Sequence, residues 1–200
     1  MMWVRLRRAV AHTIALTLAI AAITHIVVVL LLPAHADNDA WSKVVAAGTP
    51  YRFATVARPD LANDPAGAAR SSAIPGIDPL FAVAVCRFDL DAAPVSVLGE
   101  GEVPFWSLAI FDQRGRNVYS LNDRTAIDRR LDLVIANPAQ RARLREAPPE
   151  DLERSIMVRS DISKGFVLVR AFTPDPSWVP AVTRFLDGAT CEQLEIAAAD

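Results

Sequence analysis

The longest apolar stretch of the chain lies near its N-terminus. From Ala9 to Leu32, 24 consecutive residues carry no formal charge. As a helix, such a run would extend about 36 Å, whereas the hydrocarbon core of a bilayer is about 30 Å thick. The pattern predicts one transmembrane helix over residues 9–32, with the lipid bilayer as its partner and residues 1–8 as a short N-terminal segment.

The charges that flank this run differ on its two sides. Three arginines and no acid lie within residues 1–8, whereas Asp37 and Asp39 follow the run. The positive-inside rule therefore predicts a protein of the inner (plasma) membrane with a cytoplasmic N-terminus and a periplasmic or otherwise extracytoplasmic main domain. A signal peptide cleaved after Ala36 is the alternative, although its apolar region would usually have roughly 7 to 15 residues.

The segment after the predicted span has the signals of a second, short helix. Asn38 or Asp39 can cap it and Gly48 can end it. We expect residues 37–48 to form a juxtamembrane helix near the bilayer surface, with Trp41 toward the lipid.

From residue 49 onward, short runs of alternating or continuous apolar residues predict strands. Phe81–Leu90 is apolar on both faces, as is typical of a central strand, and Val95–Leu98 is interpreted as its hairpin partner. A turn at Asp112–Gly115 is expected to join two further strands. The predicted strands cover residues 51–57, 81–90, 95–98, 105–111, 118–121, 131–136, 155–159 and 166–172.

Two helices are predicted among these strands. Asn137-Pro138 marks the start of a short helix through Arg145. Asp175-Pro176 marks the start of a C-terminal amphipathic helix that ends at Gly188. The fold class is therefore mainly β: a β-sandwich-like extracytoplasmic domain over residues 49–200 with a C-terminal helix, preceded by one transmembrane α-helix.

Charge and composition exclude several function classes. Beyond residue 36 the chain has 18 basic and 23 acidic residues, a formal net charge of −5, so nucleic acid is not an expected partner. All three histidines lie at or before His35, which excludes histidine-activated nucleophiles and imidazole-bound metals from the main domain. The sequence also lacks a Gly-rich phosphate loop. We expect no metal and no cofactor, and we assign no catalytic residue.

The two cysteines of the chain are Cys86 and Cys191. They are too few for a structural zinc site, and an exported domain lies where disulfides persist. Cys86 falls on one face of the predicted central strand, and Cys191 follows a helix that must pack on the same core. We predict one disulfide between them, with a buried free Cys86 as the alternative.

The candidate ligand-binding residues cluster near the end of the predicted strand 118–121. The segment YSLNDR combines an aromatic ring, an amide, a carboxylate and a guanidinium, a set suited to a polar ligand. A purely structural role in forming a turn is the alternative. The candidates are Arg87, Trp106, Tyr119, Asn122, Asp123 and Arg124.

Three segments also carry a resemblance to a known family. IDPLFAVAVCRFDL (Ile77–Leu90), PFWSLAIFDQRGRNVYSLNDR (Pro104–Arg124) and KGFVLVRAF (Lys164–Phe172) resemble the small membrane-anchored members of domain-of-unknown-function family 1254. The resemblance implies a β-rich fold. It also implies a companion domain of family 1214, which we do not expect within this chain and which a protein partner would carry. It implies no reaction and therefore no catalytic residues.

These expectations favour a membrane-anchored, non-enzymatic binding or assembly module of the cell envelope. The alternative is a carboxylate-dependent hydrolase that acts on envelope glycans, because acids at strand ends and turns can form a catalytic pair. The candidate acids are Asp89, Asp91, Asp112, Asp123 and Asp161.

Overall fold

The chain forms two compact units, residues 1–38 and residues 39–200. The structure is a computed structural model and describes residues 2–36, 39–58, 78–146, 149, 152 and 154–195. The described residues of the first unit form a single helix, α1 (Met2–Ala36), whose stretch Arg5–Leu32 is long and apolar enough to cross a membrane. By length and composition alone, a signal sequence meets the same criterion.

Two threonine hydroxyls of α1 are paired with its own backbone. The Thr13 hydroxyl donates to the Ala9 carbonyl at 3.0 Å, and the Thr17 hydroxyl donates to the Thr13 carbonyl at 2.9 Å. Such bonds to the preceding turn satisfy hydroxyls that an apolar environment would otherwise leave without a partner.

The second unit is mainly β, as the sequence predicts. Its described helices are α2 (Asp39–Ala47), α3 (Pro138–Glu146) and α4 (Val179–Asp187), with short 3-10 turns at Ile127–Arg129 and Pro176–Trp178. Its described strands are β1 (Ala54–Ala57), β2 (Phe81–Asp89), β3 (Val95–Gly99), β4 (Trp106–Asp112), β5 (Asn117–Asn122), β6 (Leu131–Ala136), β7 (Ile156–Arg159), β8 (Lys164–Phe172) and β9 (Thr190–Gln193).

These strands form two sheets. The five-stranded sheet has the order β1-β2-β8-β4-β5, and the four-stranded sheet has the order β7-β6-β3-β9. The pairings are antiparallel except for β6 with β7. Side chains from both sheets share one hydrophobic core, to which β2 contributes Ala84 and Phe88, β6 contributes Leu133 and α4 contributes Phe185. The C-terminal helix therefore packs on the sheets, as the amphipathic pattern predicts.

The outer face of β2 is also apolar, and α2 covers part of it. Val83 and Val85 form a second cluster there with Val44 of α2. Trp41 is half-buried in the same cluster, and its ring centroid lies 6.4 Å from that of Phe166. The indole therefore packs on an apolar outer face of the sheet, and the expectation that Trp41 lies toward the lipid stays a prediction.

The predicted partner of β2 is also wrong. β3 does not form a hairpin with β2, since Val97 pairs with Leu133 of β6 on one side and with Cys191 of β9 on the other. The neighbours of β2 are β1 and β8. The connection after β2 therefore leads from one sheet to the other, and the next strand in sequence is not the next strand in space.

Local signals at other turns and caps are confirmed. Gly115, with φ 75°, donates its N–H to the Asp112 carbonyl at 3.0 Å and closes the β4–β5 hairpin. The Asn137 side chain accepts from the Gln140 N–H at 2.9 Å, and the Gln140 side chain accepts from the Asn137 N–H at 3.0 Å. This reciprocal pair caps the start of α3.

The two cysteines lie at disulfide distance. Their Cα atoms are 6.5 Å apart, within the range that a disulfide requires. Cys86 points into the core from β2, and Cys191 lies on β9, a strand that the sequence pattern does not predict. The pair joins the five-stranded sheet to the four-stranded sheet.

Candidate functional site

The described residues of the second unit line two concave regions that are large enough for a small molecule. One, of about 710 Å³, is an open groove on the outer face of the five-stranded sheet, where Phe81, Phe105 and Leu168 form much of its lining. The other, of about 610 Å³, is lined by the segment 99–103, Trp106, Asp123, the segment 128–130 and Trp178. We call the second region the Asp123 pocket. It contains a larger share of charged side chains, and its construction points more strongly to a ligand.

Asp123 follows β5 and is buried, with 2% of its surface exposed. Its N–H donates to the Trp106 carbonyl at 3.1 Å, which fixes the residue beside the first residue of β4. Oδ2 accepts from Nη2 of Arg129 at 2.5 Å, whereas Oδ1 is buried and has no hydrogen-bond partner among the described residues. Because buried polar atoms are normally paired, this oxygen marks Asp123 as a carboxylate whose hydrogen-bonding capacity the described residues leave partly unused.

Trp106 also binds the turn Ile127–Arg129, which contains the arginine that pairs with Asp123. The residue is buried in the core, and its indole Nε1–H donates to the Arg129 carbonyl at 3.0 Å. Arg129 is therefore held twice, through its backbone by Trp106 and through its guanidinium by Asp123. A buried indole N–H and a buried carboxylate together fix the position of an otherwise exposed turn.

The backbone of this turn is strained. Asp128 and Arg129 have φ values of 51° and 58°, in the left-handed region that residues with a side chain rarely adopt. On the facing segment, Gly101 has a φ of 138°, which favours glycine at that position. Strained residues persist where surrounding contacts determine them, and they concentrate at binding sites.

The pocket carries an excess of negative charge. Four acids and two arginines line it, for a formal charge of −2. Both arginines are already paired within the pocket, Arg129 with Asp123 and Arg130 with Glu100. Glu102 and Asp128 are exposed and have no ion-pair partner in the part of the chain that the structure describes. The field inside the pocket therefore favours positive charge.

Trp178 adds an accessible aromatic surface to this pocket. The sequence pattern places it in the apolar stripe of the C-terminal helix, but it lies in the preceding 3-10 turn and is 37% exposed. Val182, Phe185 and Leu186 of the stripe are buried in the core, whereas Trp178 is not among the core residues. Its ring is free to contact a ligand.

The structure brings only some of the predicted site residues together. Trp106 and Asp123 both line the Asp123 pocket. Asn122 instead lines the outer groove, and its side chain accepts from the N–H groups of Arg124 and Thr125 at 3.0 and 3.1 Å, which stabilises the turn after β5. Arg124 itself is exposed.

Tyr119 and Arg87 lie away from the pocket. Tyr119 is half-buried against the central core. Arg87 pairs with Phe166, which pairs with Phe111 near the opposite end of β4 from Trp106. The structure therefore separates Arg87 from the cluster with which the sequence grouped it.

Most residues of the pocket escape the sequence pattern because they lie on short loops without periodicity. The acid–glycine repeat of GEGEV (99–103) and the charged run DRR (128–130) are the signals that could have indicated them. Within the residues that the structure describes, no group of three His, Cys, Asp or Glu side chains could hold a metal ion.

A family model described as "Protein of unknown function (DUF1254)" matches residues 59–193. The chain belongs to the DUF1254 family. None of the curated proteins matches it. Both the Asp123 pocket and the outer groove lie largely within the residues that the DUF1254 model covers.

Two solved structures are similar to this DUF1254 chain. The VPA0106 protein from Vibrio parahaemolyticus is 15% identical with a TM-score of 0.47, over 61% of this chain and 30% of that one. An uncharacterised protein from Burkholderia cenocepacia is 14% identical with a TM-score of 0.49, over 80% of this chain and 42% of that one. The chain thus spans less than half the length of either protein.

Proposed function

We propose that this protein is a membrane-anchored, non-enzymatic binding module of the cell envelope, and that its β domain binds a small polar ligand in the Asp123 pocket. The observation that carries the proposal is Oδ1 of Asp123, a buried carboxylate oxygen without a hydrogen-bond partner among the described residues. A donor from a ligand would satisfy it.

The form of the pocket supports the same proposal. Its volume of about 610 Å³ lies within the range of small-molecule sites, which is roughly 300 to 1,000 Å³. Trp106 and Asp123 are held by backbone and side-chain bonds from one turn, so the polar groups are positioned before a ligand arrives. Small-molecule sites combine apolar or aromatic walls with a few convergent polar groups, and Trp106 and Trp178 supply the aromatic walls here.

The binding test is a panel of polar solutes titrated into the full chain in a non-ionic detergent. Sugars, small carboxylates and small amines represent neutral, anionic and cationic ligands, and isothermal titration calorimetry measures their affinities. We expect one class to bind, and Asp123→Asn to weaken that binding. Asp161→Asn removes an acid that is 73% exposed and lies outside the pocket, so it serves as the control. Absence of binding by every class would contradict the proposal.

The membrane topology is part of this proposal. α1 supports it by length and composition, with residues 1–8 in the cytoplasm, residues 9–32 in the bilayer, a juxtamembrane helix over residues 37–48 and an extracytoplasmic domain over residues 49–200 of an inner-membrane protein. A reporter fused after residue 200 should be active only in its extracytoplasmic form, and the protein should resist extraction by carbonate. A mature N-terminus at position 37 would contradict the anchor.

A protein partner that carries the family 1214 domain is a further part of the proposal, based on the family resemblance. Capture through a C-terminal tag from solubilised membranes should recover a protein whose sequence contains a family 1214 domain. Recovery of the tagged chain without it, under conditions that preserve binding in the pocket, would contradict this part alone.

A glycan hydrolase remains the second candidate function. The observation that favours it is the presence of four carboxylates, including Asp123, around one pocket. If the hydrolase is correct, the full chain should turn over envelope glycan fragments, and Asp123→Asn should abolish the turnover. Binding without turnover favours the binding module.

A further inference from the structure

We propose that the ligand of the Asp123 pocket is a small organic cation with a primary ammonium group. This inference rests on the proposed function and names the chemical class of its ligand. It starts from the charges that remain after internal pairing. Arg129 and Arg130 are each bound to an acid of the pocket, whereas Glu102 and Asp128 lack an ion-pair partner among the described residues.

The unpaired oxygen of Asp123 selects among polar ligands. Oδ1 is a buried acceptor, so it needs an N–H or O–H donor. A carboxylate or phosphate would place another acceptor, with negative charge, against a pocket of formal charge −2. A quaternary ammonium carries the favourable charge but has no N–H group. A primary ammonium supplies both the charge and up to three donors.

The remaining surface of the pocket suits the carbon chain of such a ligand. Trp178 is 37% exposed and lines the pocket beside the acidic segments. An aromatic face attracts a nearby cation and also covers the methylene groups next to it. Glu102 and Asp128, both exposed, would attract the cation over a longer distance and would be screened by salt.

The test compares three probes of similar size on the full chain in a non-ionic detergent at low ionic strength. Butane-1,4-diamine has donors and charge, tetramethylammonium has charge without donors, and butane-1,4-diol has donors without charge. Isothermal titration calorimetry gives the affinities. We expect the diamine to bind at least about tenfold more tightly than either other probe, because a hydrogen bond to a charged group exceeds a neutral one.

Variants then connect the binding to the pocket. Asp123→Asn should weaken diamine binding by about ten- to a hundredfold. Glu102→Gln, at an exposed position where folding is not at risk, should weaken it by about two- to fivefold and reduce its salt dependence. Asp161→Asn, which removes one exposed acid elsewhere, should leave the affinity unchanged. Near-ultraviolet circular dichroism of each variant verifies its fold.

Each other result of these titrations would contradict a specific part of the proposal. Equal binding of the diol and the diamine, both lost in Asp123→Asn, would refute the cation while retaining a polar-ligand site. Equal binding of tetramethylammonium would show that the field alone attracts cations, and would also refute the ammonium group. Diamine binding that is unchanged by both Asp123→Asn and Glu102→Gln would place it outside the pocket. If sugars, carboxylates and amines all fail to bind, the proposed function fails as well.

Discussion

Two buried aspartates mark opposite ends of the β4–β5 hairpin, and their partners differ. Asp112 is 5% exposed and Asp123 is 2% exposed. Oδ1 of Asp112 accepts from the N–H groups of Arg114 and Arg116, each at 2.9 Å, and Oδ2 accepts from Nε of Arg116 at 2.7 Å. Asp123 has one arginine on Oδ2 and an Oδ1 without a hydrogen-bond partner among the described residues.

This difference separates a structural carboxylate from a candidate binding carboxylate. Burial alone raises the pKa of Asp112, but the hydrogen bonds and charge of Arg116, with the N–H of Arg114, outweigh burial and lower that pKa below its usual value. Both carboxylate oxygens of Asp112 accept hydrogen bonds from the hairpin turn. At the other end of the hairpin, one carboxylate oxygen of Asp123 has no hydrogen-bond partner among the described residues. The number of unsatisfied acceptors, more than burial or charge, therefore distinguishes the two ends.

The largest expected effect concerns the Cys86–Cys191 disulfide, which should stabilise the domain without acting on either end of the β4–β5 hairpin. The full chain, unfolded without reduction, should show no free thiols, because Cys86 and Cys191 are at disulfide distance. Replacing both by serine should lower the free energy of unfolding by about 2 to 5 kcal/mol. We expect this loss to leave the difference between the Asp112 and Asp123 variants unchanged, since neither aspartate contacts the pair.

Two free thiols in the titration would refute the bond. If removal of the disulfide changes which aspartate variant is the less stable, the disulfide, and not the local hydrogen-bond partners, determines the difference between Asp112 and Asp123. The double alanine variant, Cys86→Ala with Cys191→Ala, is the control for the change of polarity in the core, because it removes the bond without adding hydroxyl groups.

The next effect concerns stability at the two ends. Asp112→Asn should lower the free energy of unfolding by about 2 kcal/mol, because three donors lose a charged acceptor. Asp123→Asn should lower it by about 1 kcal/mol or less, because its one ion pair is to an arginine that is 67% exposed. Urea unfolding of the full chain in non-ionic detergent, followed by near-ultraviolet circular dichroism, measures both values. The reverse order would contradict the comparison.

The pH dependence of stability distinguishes the structural end further. The pKa of Asp112 is lower in the folded chain than its unfolded value of about 3.9. Its contribution is therefore fully present above about pH 4 and is lost as the pH falls through the folded pKa. The difference in stability between the wild type and Asp112→Asn should be constant near pH 6 and should shrink below about pH 4.

Asp175 supplies the control for this experiment. The side chain and N–H of Ser177 also lower its pKa, although it is exposed and outside the hairpin. Asp175→Asn should therefore remove a separate part of the acid dependence. If Asp112→Asn leaves the pH profile parallel to that of the wild type down to about pH 2, the assignment of Asp112 as a structural carboxylate is wrong.

The sequence predicts the parts of the fold that depend on local signals. The two apolar faces of β2, the Asp112–Gly115 turn and the Asn137 cap are all confirmed. The predicted pairing of β3 with β2 is wrong, because the alternation of apolar and polar residues identifies a strand but not its neighbour in the sheet. Pairing of β3 with β9 joins residues far apart in sequence and depends on how two sheets pack, which a single-sequence pattern does not contain.

The candidate site is predictable only in part for a related reason. Trp106 and Asp123 lie in a segment of clear periodicity and are placed together by the β4–β5 pairing. Arg87 has a similar chemistry but sits elsewhere on the sheet. The acidic loops of the pocket, by contrast, have no periodicity, and their approach to Asp123 follows from the strained turn at Asp128. Loop geometry of that kind depends on tertiary contacts.

The smallest expected effect tests that strained turn. Asp128 has a φ of 51°, which glycine adopts without the steric cost of a Cβ atom. Asp128→Gly should therefore raise the free energy of unfolding by about 0.5 to 1 kcal/mol relative to Asp128→Ala. Both variants remove one acid from the pocket, so both should weaken diamine binding by about two- to fivefold. Glycine at position 128 should therefore increase the stability of the domain, whereas either substitution should reduce the affinity for the diamine because the carboxylate is lost. If Asp128→Gly is less stable than Asp128→Ala, the left-handed backbone at this position is not a source of strain, and the contrast with the Asp112 turn, where glycine takes the positive φ, disappears.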